Sequence, residues 1–463
     1  MSAIPSIGIP ELAGLSDYTG AARVGFPVAE NVRRMLRLHW AERRLMFIAL
    51  AHLPATPEWE VKCALALHQW QDGEHANALL RRIAEMRSPA PRMDAAPDPA
   101  LDAFLEEVLR ARDTVELLAG IYTVGRRALA AAYAGHIART NPLADQPTVR
   151  LMRVALAEQE QALAWGQRAV AALCARDDNA LDRADRWTRH LTAYLMQAGG
   201  IAGDDHRAVA EQGELPPPRA SAAFAPDAHP RRDARFRGQY DFDFPPHTVY
   251  NAPGVPADER NLALLCKRTL EMDVPEMIAS IILERPEMPW EFVLDYSRQL
   301  WDEARHAMLG TVALEARGID WSAIPLNVGF ALRLNIHATP LERQVMLYGI
   351  EQTLMPGETG KRSEYETAVA AGDALSAHFH DYDWADEVLH ARIGRRWMKH
   401  EGISPQQAIE RGSAVHEKTW SALMDYAGRT RHVAWWGAFV RRVLGHESAV
   451  VEEEPGMPSV ITE

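Results

Sequence analysis

The pattern D-E-x-x-H-A-x-x-G occurs twice, as Asp302-Glu303-Ala304-Arg305-His306-Ala307-Met308-Leu309-Gly310 and as Asp386-Glu387-Val388-Leu389-His390-Ala391-Arg392-Ile393-Gly394, with Trp301 and Trp384 just upstream. On a helix, residues three apart share a face, so each Glu-x-x-His pair can offer a carboxylate oxygen and an imidazole nitrogen to one cation. Two such helices facing each other make a binuclear metal site. In a chain with 18 histidines and 63 acidic residues, a bare Glu-x-x-His arises about once or twice by chance. The Asp, Ala and Gly common to both copies set the repeat apart from that background.

A di-metal site in the core of a four-helix bundle takes one Glu from each of two helices and a Glu-x-x-His from each of the other two. Apolar residues recur at helical spacing over 258–285, 289–317, 340–355, 373–401 and 404–428, and the second and fourth of these runs carry the repeats. With a first turn at Arg285-Pro286-Glu287, antiparallel registration at about 1.5 Å per residue sets Glu271 level with Glu303. Glu276 is the alternative, next to Pro275, which disturbs the local helix. On the third helix the candidates are Glu351, inside the run Leu341 to Leu354, and Glu358, beyond the breaker Met355-Pro356-Gly357. Glu351 is the better placed, because an acid after the breaker can be an exposed first-turn residue of the next segment.

At 463 residues the chain is long for one core, and two domains are expected. Residues 1–202 form a first helical block, with helices expected at 28–53, 57–88, 100–139 and 145–176. Residues 203–257 form a Pro-rich connector, marked by Pro216-Pro217-Pro218 and Pro245-Pro246, whose aromatics from Tyr240 to Phe244 and at Tyr250 imply packing on a domain surface. Residues 258–430 form the second block and 431–463 a C-terminal extension. Strand patterns are nearly absent. The fold class expected is all-α, two four-helix bundles joined by the connector and related by duplication.

The first block holds a damaged echo of the repeat in Glu42, Asp72-Gly73-Glu74-His75-Ala76 and Glu158-Gln159-Glu160-Gln161-Ala162. Gln161 stands where a second histidine would be, and Glu116 is out of register for a third-helix carboxylate. That ligand set is incomplete, so this block is expected to be structural.

A formal charge of −13 argues against a nucleic-acid footprint, which needs a basic face. Cys63, Cys174 and Cys266 are scattered and form no CxxC, which fits a reducing compartment. Met1 to Gly20 lacks the basic start and apolar block of a signal peptide, and no apolar run is long enough to span a bilayer. A cytoplasmic protein without nucleic-acid or membrane partners is expected.

From Leu262 to about Arg396 the chain resembles the ferritin-like diiron carboxylate superfamily, on Glu271, Glu303-x-x-His306, Glu351 and Glu387-x-x-His390. The first block then reads as a degenerate copy, and the stretch from Glu351 to Glu387 is longer than that superfamily usually shows. The resemblance implies that Asp302 accepts a hydrogen bond from His390 and Asp386 one from His306. A metal-bound imidazole needs such an acceptor to fix its tautomer. It further implies two iron ions, or a Mn/Fe pair, as hard oxygen ligands with imidazole favour. With O2 as co-substrate, the expected activity is an oxidase or oxygenase that hydroxylates carbon or oxygenates nitrogen in a small organic substrate, supplied by an external electron donor. Beyond the metal centre no catalytic residue is assigned. The N-terminal half would cover the mouth of the site or form the surface of a homodimer.

Ferritin- or erythrin-like handling of iron or peroxide is the alternative, and a metal-free helical scaffold is another. Trp301, Trp384, Tyr296, Tyr348 and Tyr382 read as core aromatics, and Lys361-Arg362 reads as a solvated charge pair.

Overall fold

A computed structural model describes residues 8–87, 89, 95–205, 215–236, 244–355, 360–427 and 434–450. Among these residues the secondary structure is helical, without a strand. The chain forms two compact units, Met1–Ala49 with Gln71–Ala225 and Leu50–Trp70 with Pro226–Glu463. This division departs from the sequence boundaries at three places. Residues 50–70 belong to the second unit, and the expected connector is divided between the units after Ala225. Its two halves are held by ion pairs: half-buried Arg219 with Glu116 in the first unit, and buried Arg232 with Asp273 and Glu276 in the second. Tyr240 lies outside the described residues. The C-terminal extension is part of the second core, where Trp436, Phe439 and Val440 pack with Leu262, Cys266 and Phe244.

We number the longer α-helices in chain order. The first unit takes most of α1 (Val28–His52), the second half of α2 (Trp59–Glu85), then α3 (Pro99–Leu109), α4 (Arg127–Arg139), α5 (Gln146–Cys174) and α6 (Ala180–Gln197). The single helix expected over 100–139 is broken. Asp113 accepts a hydrogen bond from Glu116 N and starts a new helix at Thr114, because a capping Asp satisfies an orphan donor better than it continues a helix. That helix runs through a π-helical segment, Ala119–Arg126, into α4.

The second unit contains α7 (Ala257–Leu270), α8 (Asp273–Leu283), α9 (Trp290–Glu315), α10 (Gly329–His337), α11 (Pro340–Thr353), α12 (Lys361–Ala370), α13 (Ala374–His400), α14 (Pro405–Ala427) and α15 (Trp436–Leu444). The run 258–285 is two helices, not one. A proline ring clashes with the carbonyl four residues earlier, and for Pro275 that residue is Glu271, where α7 ends. Beginning α8 at Asp273 puts Pro275 in a first turn, where a missing N–H costs nothing. Thr339 and Glu342 form a capping box that fixes the start of α11. The extra length between Glu351 and Glu387 is filled by α12, which periodicity did not reveal.

Helix α9 packs on α7, α8 and α13, and α13 packs on α9, α11 and α12. The glycine ending each repeat marks a close approach. A Cβ on Gly310 would lie 2.8 Å from Arg268 Cβ on α7, and one on Gly394 would lie 2.8 Å from the Tyr348 ring on α11. Any side chain there would push the neighbouring helix away.

Candidate metal centre

Glu303 and His306 on α9, Glu351 on α11, and Glu387 and His390 on α13 are all buried. Ligand atoms of Glu303, Glu351, Glu387 and His390 lie within 4.8 Å of one another. His390 Nδ1 faces Glu303 Oε1 at 3.2 Å, Glu387 Oε2 at 3.4 Å and Glu351 Oε2 at 4.0 Å. None of these approaches has hydrogen-bond geometry, and His390 Nδ1, Glu351 Oε2, Glu387 Oε2 and His306 Nδ1 are buried without a hydrogen-bond partner. Buried polar atoms left so cost free energy, and here they converge. Gln299 donates to Glu351 Oε1 at 2.8 Å, which turns Oε2 inward.

A second set adjoins the first. Glu271, His306 and Asp383 also bring ligand atoms within 4.8 Å of one another, with His306 Nδ1 at 3.1 Å from Asp383 Oδ1. Glu271 stands at the C-terminal end of α7 because the Pro275 break ends the helix there. Glu276 is held elsewhere, by Lys62 and Arg232 at 2.5 Å each. Glu358 lies outside the described residues. Asp383 was missed in the sequence, although it stands four residues before Glu387 and therefore on the same helix face. Lys361 was misjudged as solvated. It is 1% exposed and lies 2.9 Å from Glu387 Oε1 and 3.1 Å from Asp383, whereas Arg362 faces solvent with Glu366. Arg268, also unforeseen, donates to Asp383 at 2.6 Å and to Glu364 at 3.0 Å.

The far nitrogens of the two imidazoles face acids across the repeat: His390 Nε2 lies 3.4 Å from Asp302 Oδ2, and His306 Nε2 lies 3.2 Å from Asp386 Oδ2. Arg298 and Arg305 hold these acids in place, with Arg298 Nε at 2.8 Å from Asp302 and Arg305 Nη2 at 2.6 Å from Asp302 and 2.8 Å from Asp386. Burial opposes charge on the imidazoles. Even so, Asp383, Asp386 and Glu303 raise His306 to about 10, and Asp302, Glu303 and Glu387 push His390 well above its ordinary range. Burial and the neighbouring Glu387 raise Glu351 well above the usual carboxylate range. So much acid around two imidazoles calls for positive charge. Asp302→Asn keeps the volume but removes the anionic acceptor of His390. It is expected to weaken metal binding about 10- to 100-fold with the fold intact, as read by titration with Mn2+; wild-type affinity would show that Asp302 serves only Arg298 and Arg305.

In the first unit, Glu42, Asp72 and His75 also converge, but a protein cation is already among them. Arg126 is buried and makes a bidentate pair with Asp72 at 2.7 and 2.8 Å, with a third bond to Gln159 at 2.7 Å. Tyr133 and Gln159 donate to Glu42 at 2.7 and 2.9 Å. Glu158 pairs with His75 Nε2 at 2.9 Å, while Glu116 belongs to the Arg219 pair. Burial opposes its charge, yet Glu42 and Glu158 raise His75 to about 10. A raised folded pKa stabilises fully below the unfolded value near 6.5 and loses that contribution as pH rises through about 10. Stability of the first unit should therefore fall between pH 7 and 10, by at most about 1.4 kcal/mol per pH unit. Urea denaturation across that range should show the slope, and His75→Gln should flatten it.

Of the aromatics near the repeats, Tyr296 and Tyr348 are buried, Trp301 stacks on Trp70 with centroids 6.4 Å apart, and Tyr382 is exposed. Among the described residues no helix is long and apolar enough to cross a membrane. Comparison with protein-family models, curated proteins and solved structures gives no match.

Proposed function

We propose that the second unit is a ferritin-like carboxylate centre for two divalent first-row ions, iron or a Mn/Fe pair, and that it acts with O2 as an oxidase or oxygenase on a small organic molecule. The observation that carries this reading is the orientation of the two imidazoles. An imidazole whose Nε2–H is committed to an aspartate leaves Nδ1 to a proton or, once that proton is displaced, to a metal ion through its lone pair. Both Nδ1 atoms point into buried carboxylates without a hydrogen-bond partner, and a cation satisfies lone pair and acids together. The donor set of oxygens and imidazole nitrogens fits iron or manganese.

When bound, such a pair of ions supplies O2 binding and electrons for oxidation. The chain's own part is to hold that chemistry. Asp302 and Asp386 fix the imidazole tautomers, Gln299 aims Glu351, and burial of all six side chains but Glu271, which is partly exposed, keeps bulk water out. Glu271 is therefore the ligand nearest to any approaching substrate. A reducing, cytoplasmic setting with an external electron donor, and a homodimer, complete the proposal; the three free cysteines are consistent with the compartment.

The test is to load the protein anaerobically with Fe(II), remove unbound metal, count the iron and admit O2. About two ions per chain, O2 uptake and a change in visible absorption are expected. Uptake far beyond that stoichiometry would favour iron storage, and no retained metal would favour the scaffold.

A further inference from the structure

We propose that Lys361 is a built-in competitor for the second metal ion, so that the two positions fill in sequence and the second fills only when the lysine leaves. This rests on the metal reading above. The Lys361 ammonium lies 2.9 Å from Glu387 Oε1, 3.1 Å from Asp383 Oδ2 and 3.6 Å from Glu271 Oε1. Glu271 and Asp383 are acids of the second set, and Glu387 faces both imidazoles. Among the described residues no Lys or Arg pairs with Glu303 or Glu351, and Lys361 touches the first set only at Glu387, whereas both acids of the second set are paired with Lys361 and Arg268, so the first set is the more open of the two to an ion.

Lys361 is suited to leave. It is the first residue of α12, and a helix N-terminus disfavours positive charge, so the acids alone hold it there. A lysine is a point charge on a flexible stem, whereas Arg268 is clamped by a planar fork to Glu271, Glu364 and Asp383. A divalent ion on the same oxygens would attract them more strongly than the ammonium does and would repel the ammonium at close range. The displaced charge then has to reach water.

The experiment is calorimetric titration with Mn2+ of the full chain, as wild type, Lys361→Met and Lys361→Gln, with circular dichroism to show that each variant is folded. Wild type should bind in two steps, the second at least ~10-fold weaker than the first, and both variants should tighten the second step by ~10-fold or more with little change in the first. One step in wild type that becomes two in the variants supports the competitor equally. A second step that is unchanged or lost in the variants overturns it, as does a single step in all three proteins. No Mn2+ step in any of them overturns the metal reading itself. Should neither variant fold, wild type alone decides: mass-spectrometric mapping of reductive methylation should find Lys361 protected with up to one Mn2+ bound and labelled once the second is bound, and protection at full loading overturns the proposal.

Discussion

Glu303→Ala combined with Glu387→Ala is expected to take bound metal from about two ions per chain to near zero, the largest change any pair of substitutions in the second unit should produce. The reason is that these two carboxylates each face both imidazoles. Glu303 lies 3.2 Å from His390 Nδ1 and 3.6 Å from His306 Nδ1, and Glu387 lies 3.4 and 3.9 Å from the same atoms. Removing them leaves the first position with Glu351 and His390 alone, and the second with His306, Glu271 and Asp383, whose two acids are already paired with Arg268 and Lys361, too little to hold an ion against water. Glu351 approaches only His390, at 4.0 Å, so Glu351→Ala should cost one ion and not both. Glu276→Gln should cost none, since Glu276 is committed to Lys62 and Arg232. Metal analysis after desalting reads all three, and full loading of the double variant would remove the basis for the proposed centre.

Arg126→Met is expected to destabilise the first unit by about 3–5 kcal/mol, the usual result of breaking a buried ion pair from one side. Arg126 is 1% exposed and provides three hydrogen bonds to Asp72 and Gln159. Without it Asp72 and Glu42, both 0% exposed, would face each other with only His75 as counter-charge. Adding Asp72→Asn to Arg126→Met should restore part of the loss, because the orphaned charge is then gone. The urea midpoint of the first unit measures both, and a change below about 1 kcal/mol for the single variant would mean that the network contributes little.

How much of this was legible in the sequence depends on the range of the interaction. Periodicity placed helices at 289–317 and 373–401, against the observed Trp290–Glu315 and Ala374–His400, because apolar spacing is a local signal. Spacing likewise put Glu303 with His306, and Glu387 with His390, on single faces, and it could have supplied Asp383 by the same rule. Short α10 and α12 gave weak patterns and went unread, whereas α6 was legible from Ala184, Trp187, Leu191 and Tyr194 at helical spacing and was missed.

The choice between Glu271 and Glu276 could not be made from registration alone. Pro275 breaks the helix between them, and Lys62, from another part of the chain, then claims Glu276. Lys361 looked like any surface lysine beside Arg362, and Arg126 like any arginine in a helix. What buries each of them is a set of acids from other helices, and that has no local signature. The sequence by itself therefore determined the two helices that carry the repeats, the faces on which their acids and imidazoles lie, and the spacing of those residues along each helix. Only the tertiary structure decided which positive charge answers which acid: the Arg126 guanidinium in the first unit, and in the second the Arg268 guanidinium together with Lys361, which stands among the acids of the proposed centre. The physical reason is that helix formation and face selection are settled within a few turns of chain, whereas the pairing of buried charges is settled by residues far apart in sequence that meet only when the core closes.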